Sequence, residues 1–244
     1  MGGLYLIPTP LGDQDPSEVL TPQVLVLVQR LRHLVVENEK SARKFLKAAA
    51  SEVPQSEWVL YPMNKYTDPE ALKGYLDVCT DGEDLGVLSE AGCPGIADMC
   101  ADLVGYAHQK QISVHPLIGP SSILLALMGS GFNGQSFAFH GYLPIDKLER
   151  KSALKLAEKT AQTEGQTQVW IETPYRNLSL FQDLCQHLHE NTLLCIACDL
   201  SLPSQWIQTK SIGLWKKAEV SFIQKRPAIF LVSGGQPKRK DFSF

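Results

Sequence analysis

Short apolar runs of strand length alternate with amphipathic helical stretches along nearly all 244 residues. This rhythm constrains the fold more than any other feature. Strands separated by helices pair in parallel, and helices then cover the sheet. Strand-like runs fall at residues 4–8, 33–38, 58–63, 85–89 and 112–118. Helical stretches lie between them at 39–50, 69–79 and 99–108. Gly119-Pro120 then punctuates the chain. A second series follows, with helices expected at 121–129, 147–161 and 177–189. Its strands are expected at 137–142, 169–173, 193–200, 206–209 and 228–233. The last two leave room for little more than a turn or short helix, so the second sheet is expected to be mixed. The pattern predicts two α/β domains, 1–118 and 119–244, the first built on a mostly parallel sheet. Ser121 is expected as an N-cap, and the polar, basic tail 236–244 is expected to fray.

Hydrophobic residues make up 44% of the chain and charged residues 20%, which is ample for a core in each half. The net charge of −3 means that any contact with nucleic acid must use local basic patches. No run is long enough to span a membrane and no leader is evident at the start. A cytoplasmic protein with reduced thiols is therefore expected. Of the six cysteines, Cys195 and Cys198 have the spacing of a redox or half-zinc motif. They sit in LLCIACDL, which reads as a buried strand without further ligands nearby. The histidines are scattered, so no metal site is expected.

Breaker residues gather at the carboxyl ends of predicted strands, where open α/β sheets bind ligands. These loops are Pro8-Thr9-Pro10-Leu11-Gly12, Ser89-Glu90-Ala91-Gly92-Cys93-Pro94-Gly95, Gly119-Pro120-Ser121-Ser122 and Glu172-Thr173-Pro174. Glycine lets backbone amides approach a ligand, and proline stiffens the loop around it. The same residues also favour ordinary turns. Neither G-x-G-x-x-G after the first strand nor a G-x-x-x-x-G-K-S/T loop is present, which removes the main support for dinucleotide binding and P-loop hydrolysis. No G-x-S-x-G elbow is present either.

Taken in order, these segments resemble the tetrapyrrole methylase superfamily. They are most similar to its branch of ribosomal small-subunit RNA 2′-O-ribose methyltransferases acting on cytidine. LYLIPTPLGD resembles that branch's opening strand and loop, and LVVENEKSARKFL its second strand and helix. VLSEAGCPGIAD resembles S-D-A-G-T-P-G-I-S-D, and ISVHPLIGPSSILLALMGSG the following strand, loop and helix. FHGYLP resembles E-G-F-L-P, and IETPYRN resembles Y-E-S/T-P/T-H-R. The resemblance implies two α/β domains with a cleft for S-adenosylmethionine between them, no metal, and a homodimer. By position it implies cofactor contacts at Pro8, Pro10, Ser89, Glu90, Ala91, Gly92, Ile96, Ser121, Ser122, Thr173, Pro174, Ala197, Pro227 and Ala228.

The branch's acidic E-D-T run falls on Glu37-Asn38-Glu39, with an amide at the centre. Glu37 is the candidate catalytic residue, assisting deprotonation or positioning of an acceptor hydroxyl. The branch's A-R-E-L-T-K run falls on Ala197-Cys198-Asp199-Leu200-Ser201-Leu202, so its Arg and Lys are missing. Basic groups remain at Lys40, Arg43, Lys44 and Lys47, and at Lys147, Arg150, Lys151 and Lys155. The resemblance implies an S-adenosylmethionine-dependent methyltransferase with ribosomal RNA or the small ribosomal subunit as partner. Methylation of a small, tetrapyrrole-like molecule stays open. So does a degenerate cofactor-binding module without methyl transfer.

Overall fold

The computed structural model describes residues 1–234; the tail 236–244 and its Lys238-Arg239-Lys240 run lie outside the described residues. The chain divides into two compact units after Ser121, a little beyond the boundary expected after Ile118. The reason is local. The Cys93 Sγ lies 3.7 Å from the Gly119 carbonyl and 3.3 Å from that of Pro120, and a side chain at Gly119 would strike the Pro8 ring. The Gly119-Pro120 turn is thus packed into the first unit.

The first unit runs β1 (Leu4–Ile7), α1 (Pro22–Arg30), β2 (His33–Val36), α2 (Glu39–Ala48), β3 (Val59–Pro62), α3 (Pro69–Tyr75), α4 (Asp77–Thr80), β4 (Leu85–Leu88), α5 (Cys100–Gln109) and β5 (Val114–Pro116). Its sheet has the order β3-β2-β4-β1-β5, and every pairing is parallel. Alternate strand residues feed two cores. Ile7, Leu34, Val36 and Leu88 pack with α1 and α2, whereas Leu4, Val35, Leu85 and Val87 pack with α3, α4 and α5. Helices therefore cover both faces, as buried parallel strands require.

Two elements depart from expectation. The run PQVLVLVQR folds as α1, which the strand–helix reading left unassigned. Thr21 accepts from the Val24 N–H at its N-cap, and Pro22 follows in the first turn. The stretch 69–79 breaks at Leu76 into α3 and α4.

The second unit holds α6 (Ser122–Ser130), β6 (Phe137–Phe139), α7 (Lys147–Glu164), β7 (Thr167–Glu172), α8 (Asn177–His187), β8 (Leu193–Cys198), β9 (Trp206–Ser211), α9 (Ile212–Trp215) and β10 (Ala228–Ser233). Its sheet has the order β6-β7-β10-β8-β9. Only β6 and β7 pair in parallel, so the sheet is mixed. Trp170, Ile196, Phe230 and Val232 form one face of the core with α7, α8 and Trp215. Among the described residues no helix is long and apolar enough to cross a membrane.

Candidate functional site

In the first unit the parallel register brings the carboxyl ends of β1, β2, β4 and β5 to one edge of the sheet. The chain leaves β1 toward β2 and leaves β4 toward β5, in opposite directions from neighbouring strands. The crevice beyond β1 and β4 is therefore the switch point where such sheets bind ligands.

The two switch-point loops are laced together. Thr9 and Gly92 form an isolated antiparallel bridge, with N–H···O distances of 3.0 Å from Thr9 and 3.1 Å from Gly92. The buried Thr9 hydroxyl also donates to the Ser89 carbonyl at 3.1 Å, and the Ser89 hydroxyl accepts from the Ala91 N–H at 3.1 Å. Gly92 and Gly95 both have φ +83°. A Cβ at Gly92 would sit 3.2 Å from both Leu11 Cδ2 and the Pro120 carbonyl, so glycine is required there by conformation and by space. Asp98 closes the loop, its Oδ1 accepting from the N–H groups of Gly95 at 2.8 Å and Cys100 at 3.0 Å.

Among the expected contacts, Pro8, Pro10, Ser89, Glu90, Ala91, Gly92 and Ile96 lie on these two loops, with Ile96 exposed, and Ser121 lies on the loop that follows β5. A cleft of about 230 Å³ opens beside them. Its walls include Pro10, Leu11, Val36, Phe45 and Leu88. Its rim carries the Asp13–Lys44 ion pair at 2.8 Å and the Ser41 hydroxyl, 2.7 Å from Glu90 Oε1. Thr9, Ser41 and Asp98 do structural work here that sequence reasoning did not single out. The Pro-Thr-Pro loop was the available signal for Thr9.

Glu37 directly follows β2 and makes no hydrogen bond or ion pair among the described residues. Partial desolvation, and then the charges of Asp98 and Glu90, push its carboxyl above the usual glutamate range. Asn38 beside it caps α2, accepting from Lys40 N–H at 2.8 Å and Ser41 N–H at 3.4 Å. The amide at the centre of the Glu37-Asn38-Glu39 run is thus a helix cap.

In the second unit, Ser122 opens α6. The other candidates share one sheet edge. Thr173 and Pro174 follow β7, and Pro227 precedes β10, whose Ala228 stands opposite Glu172 on one side and Cys198 on the other. Ala197 lies opposite Ile229, buried and flanked by strands on both sides. Glu172 is buried, accepts from the Thr173 N–H at 2.7 Å and pairs with Arg176 at 3.1 Å. Asp199 (φ +48°) pairs with Arg226 at 2.8 Å and fixes the turn after β8. Cys198 itself is fully buried in the core. Among the described residues no group of three or more His, Cys, Asp or Glu could hold a metal.

The comparisons bear on this geometry. No protein-family model matches the chain. The chain is 24% identical over 243 residues to the ribosomal RNA small subunit methyltransferase I of Escherichia coli O157:H7, covering 98% of this chain and 80% of that protein. The protein of the same name from Leptospira borgpetersenii is 28% identical, covering 100% of this chain and 92% of the relative. Among solved structures, the methyltransferase CobJ matches with a TM-score of 0.64 at 16% identity, covering 96% of this chain and 94% of CobJ. In sequence and in fold the chain resembles the tetrapyrrole methylase superfamily. The uroporphyrin-III C-methyl transferase of Thermus thermophilus, solved with S-adenyl homocysteine, matches with a TM-score of 0.58 at 16% identity, covering 95% of this chain and 97% of that one. The chain therefore shares the fold of these solved methyltransferases along nearly all of its length.

Proposed function

We propose that this chain is a tetrapyrrole-methylase-type, cytoplasmic S-adenosylmethionine-dependent methyltransferase that 2′-O-methylates a ribose in small-subunit ribosomal RNA, acting as a homodimer. The Thr9–Gly92 bridge at the switch point carries the reading, because it holds the β1 and β4 loops as one backbone-lined cradle. The relatives named above support the same chemistry and the same class of acceptor.

The residues suit the donor. It presents a sulfonium cation, and the carboxylates of Glu37, Glu90 and Asp98 stand close enough for two of them to disfavour ionisation of the third. A cation beside them relieves that repulsion. Gly92 keeps the loop's main chain close against Leu11 and Pro120, in a conformation that a side chain would strain. When bound, S-adenosylmethionine supplies an electrophilic methyl group. The chain's own part is to align and to exclude water, an effect that contributes about 7–11 kcal/mol when alignment is complete. Glu37, with its proton affinity raised, accepts or orients the acceptor hydroxyl proton. The second-unit candidates Ser122, Thr173, Pro174, Ala197, Pro227 and Ala228 belong to the same proposal and are tested by single substitution.

The test is transfer of tritiated methyl from S-adenosylmethionine to small ribosomal subunits taken from a strain lacking this protein. Label in the small-subunit RNA is expected. Label confined to a small-molecule fraction, or none at all with folded protein that binds the donor, overturns the RNA reading.

A further inference from the structure

Helix α7 carries lysine at every fourth position over most of its length: Lys147, Lys151, Lys155 and Lys159. At 1.5 Å rise per residue, neighbours stand about 6 Å apart along the axis and the row spans about 18 Å. Four residues slightly exceed one turn, so the row winds slowly across the outer surface. All four side chains are exposed. Among the described residues, none of them pairs with a carboxylate.

The surroundings keep these charges available. Glu158, the acid between Lys155 and Lys159, is turned into its own unit, where it accepts from the His189 N–H and the Thr192 hydroxyl, and Glu149 near the helix start forms no ion pair with any of the four lysines. Arg150 does not belong to the row. It is buried and held by Asp183 at 2.8 Å. On α2, by contrast, Arg43 pairs with Glu39 and Lys44 with Asp13.

The apolar stripe of α7 is already spent. Leu154, Ala157 and Ala161 are buried in the unit's interior. That leaves Leu148 and Leu156, two turns apart beside the lysines and both exposed. A helix bound to a lipid surface needs a continuous free apolar face, and α7 has none. A row of evenly spaced, unpaired cations with isolated apolar side chains alongside matches a polyanionic strand. Its phosphates meet the lysines, and its riboses or bases meet the leucines.

We propose that α7 is the track on which a single RNA strand lies, with successive phosphates against Lys147, Lys151, Lys155 and Lys159. This rests on the RNA reading of the function. Lysine acts as a point charge, so the track adds affinity without sequence preference.

The test is fluorescence anisotropy of the full chain with a short labelled single-stranded RNA of mixed sequence, titrated at several salt concentrations. Each phosphate contact to a single strand contributes about −0.7 to the slope of log affinity against log salt. The double variant Lys151→Ala, Lys155→Ala is expected to bind about tenfold more weakly and to flatten that slope by about 1.4. Lys216→Ala, which removes a lysine paired with Glu190 at 3.3 Å, is expected to bind like the wild type. Binding of S-adenosylmethionine, measured in parallel by calorimetry, is expected to be equal in all three proteins. Wild-type affinity and slope in the double variant overturn the proposal. So does capture by phosphatidylserine vesicles without RNA binding. Loss of donor binding in the wild type with RNA binding intact would strike the proposed function and leave the track standing.

Discussion

Thr9 and Gly92 face each other across the β1 and β4 loops, each donating its N–H to the other's carbonyl at 3.0 and 3.1 Å. Strand β4 and strand β1 are already parallel neighbours, so the bridge extends their contact past the strand ends in the opposite sense. Two loops at a sheet's carboxyl edge are thereby held in one fixed relation.

Replacing Gly92 by alanine forces a side chain into φ +83° and to 3.2 Å from Leu11 and Pro120. A loss of about 1–2 kcal/mol from the backbone alone is expected in denaturant unfolding, with donor binding weakened as well. Gly95→Ala is the matched control. It has the same φ but open space around the added carbon, so it should lose stability while retaining more of the binding. Equal effects of the two substitutions would contradict the packing argument.

Thr9→Val keeps the shape of a buried side chain and removes its bond to the Ser89 carbonyl. A buried acceptor left without a partner costs about 1–3 kcal/mol. Chemical denaturation checks the loss, and an unchanged midpoint would show that the hydroxyl does not tie the loops.

The Glu37 carboxyl holds its proton more tightly in the folded state than in the unfolded chain. Stability therefore falls as pH rises from the ordinary glutamate value through the raised one, because the unfolded state releases that proton first. Glu37→Gln removes this component. Thermal midpoints of the two proteins should diverge across that window, with the variant favoured at its upper end. Turnover at neutral pH should drop in the variant, and unchanged turnover excludes Glu37 from the chemistry.

Arg226 and Asp199 form a mostly buried pair, with Ser204 also donating to the carboxylate at 2.9 Å. Arg226→Ala strands a carboxylate on a residue already at φ +48°. A loss of about 3 kcal/mol is expected from equilibrium unfolding, far above that of exposed pairs such as Arg32–Glu57.

Strand–helix alternation made the two sheets legible, because parallel strands need intervening helices and apolar runs on both faces. Helix α1 was harder to see. Its Val-Leu-Val-Leu-Val run suits a strand as well as a helix, and only the Thr21-Pro22 start distinguishes them. The loops at the strand ends were legible from their Gly and Pro residues, since turns there need those backbones. The roles of Asn38 and Cys198 were not. An amide cap and a core cysteine look in sequence like losses from an acidic run and a basic run, and their burial and hydrogen bonds exist only in the fold. Arg150 shows the same limit, being one basic letter among several until Asp183 draws it inward.

Calorimetric titration of the wild-type chain with S-adenosylmethionine tests the central assignment most directly. Saturable binding at one site per chain, weakened by Gly92→Ala, is the expected result. A folded wild-type protein that gives no binding heat across several temperatures would contradict it.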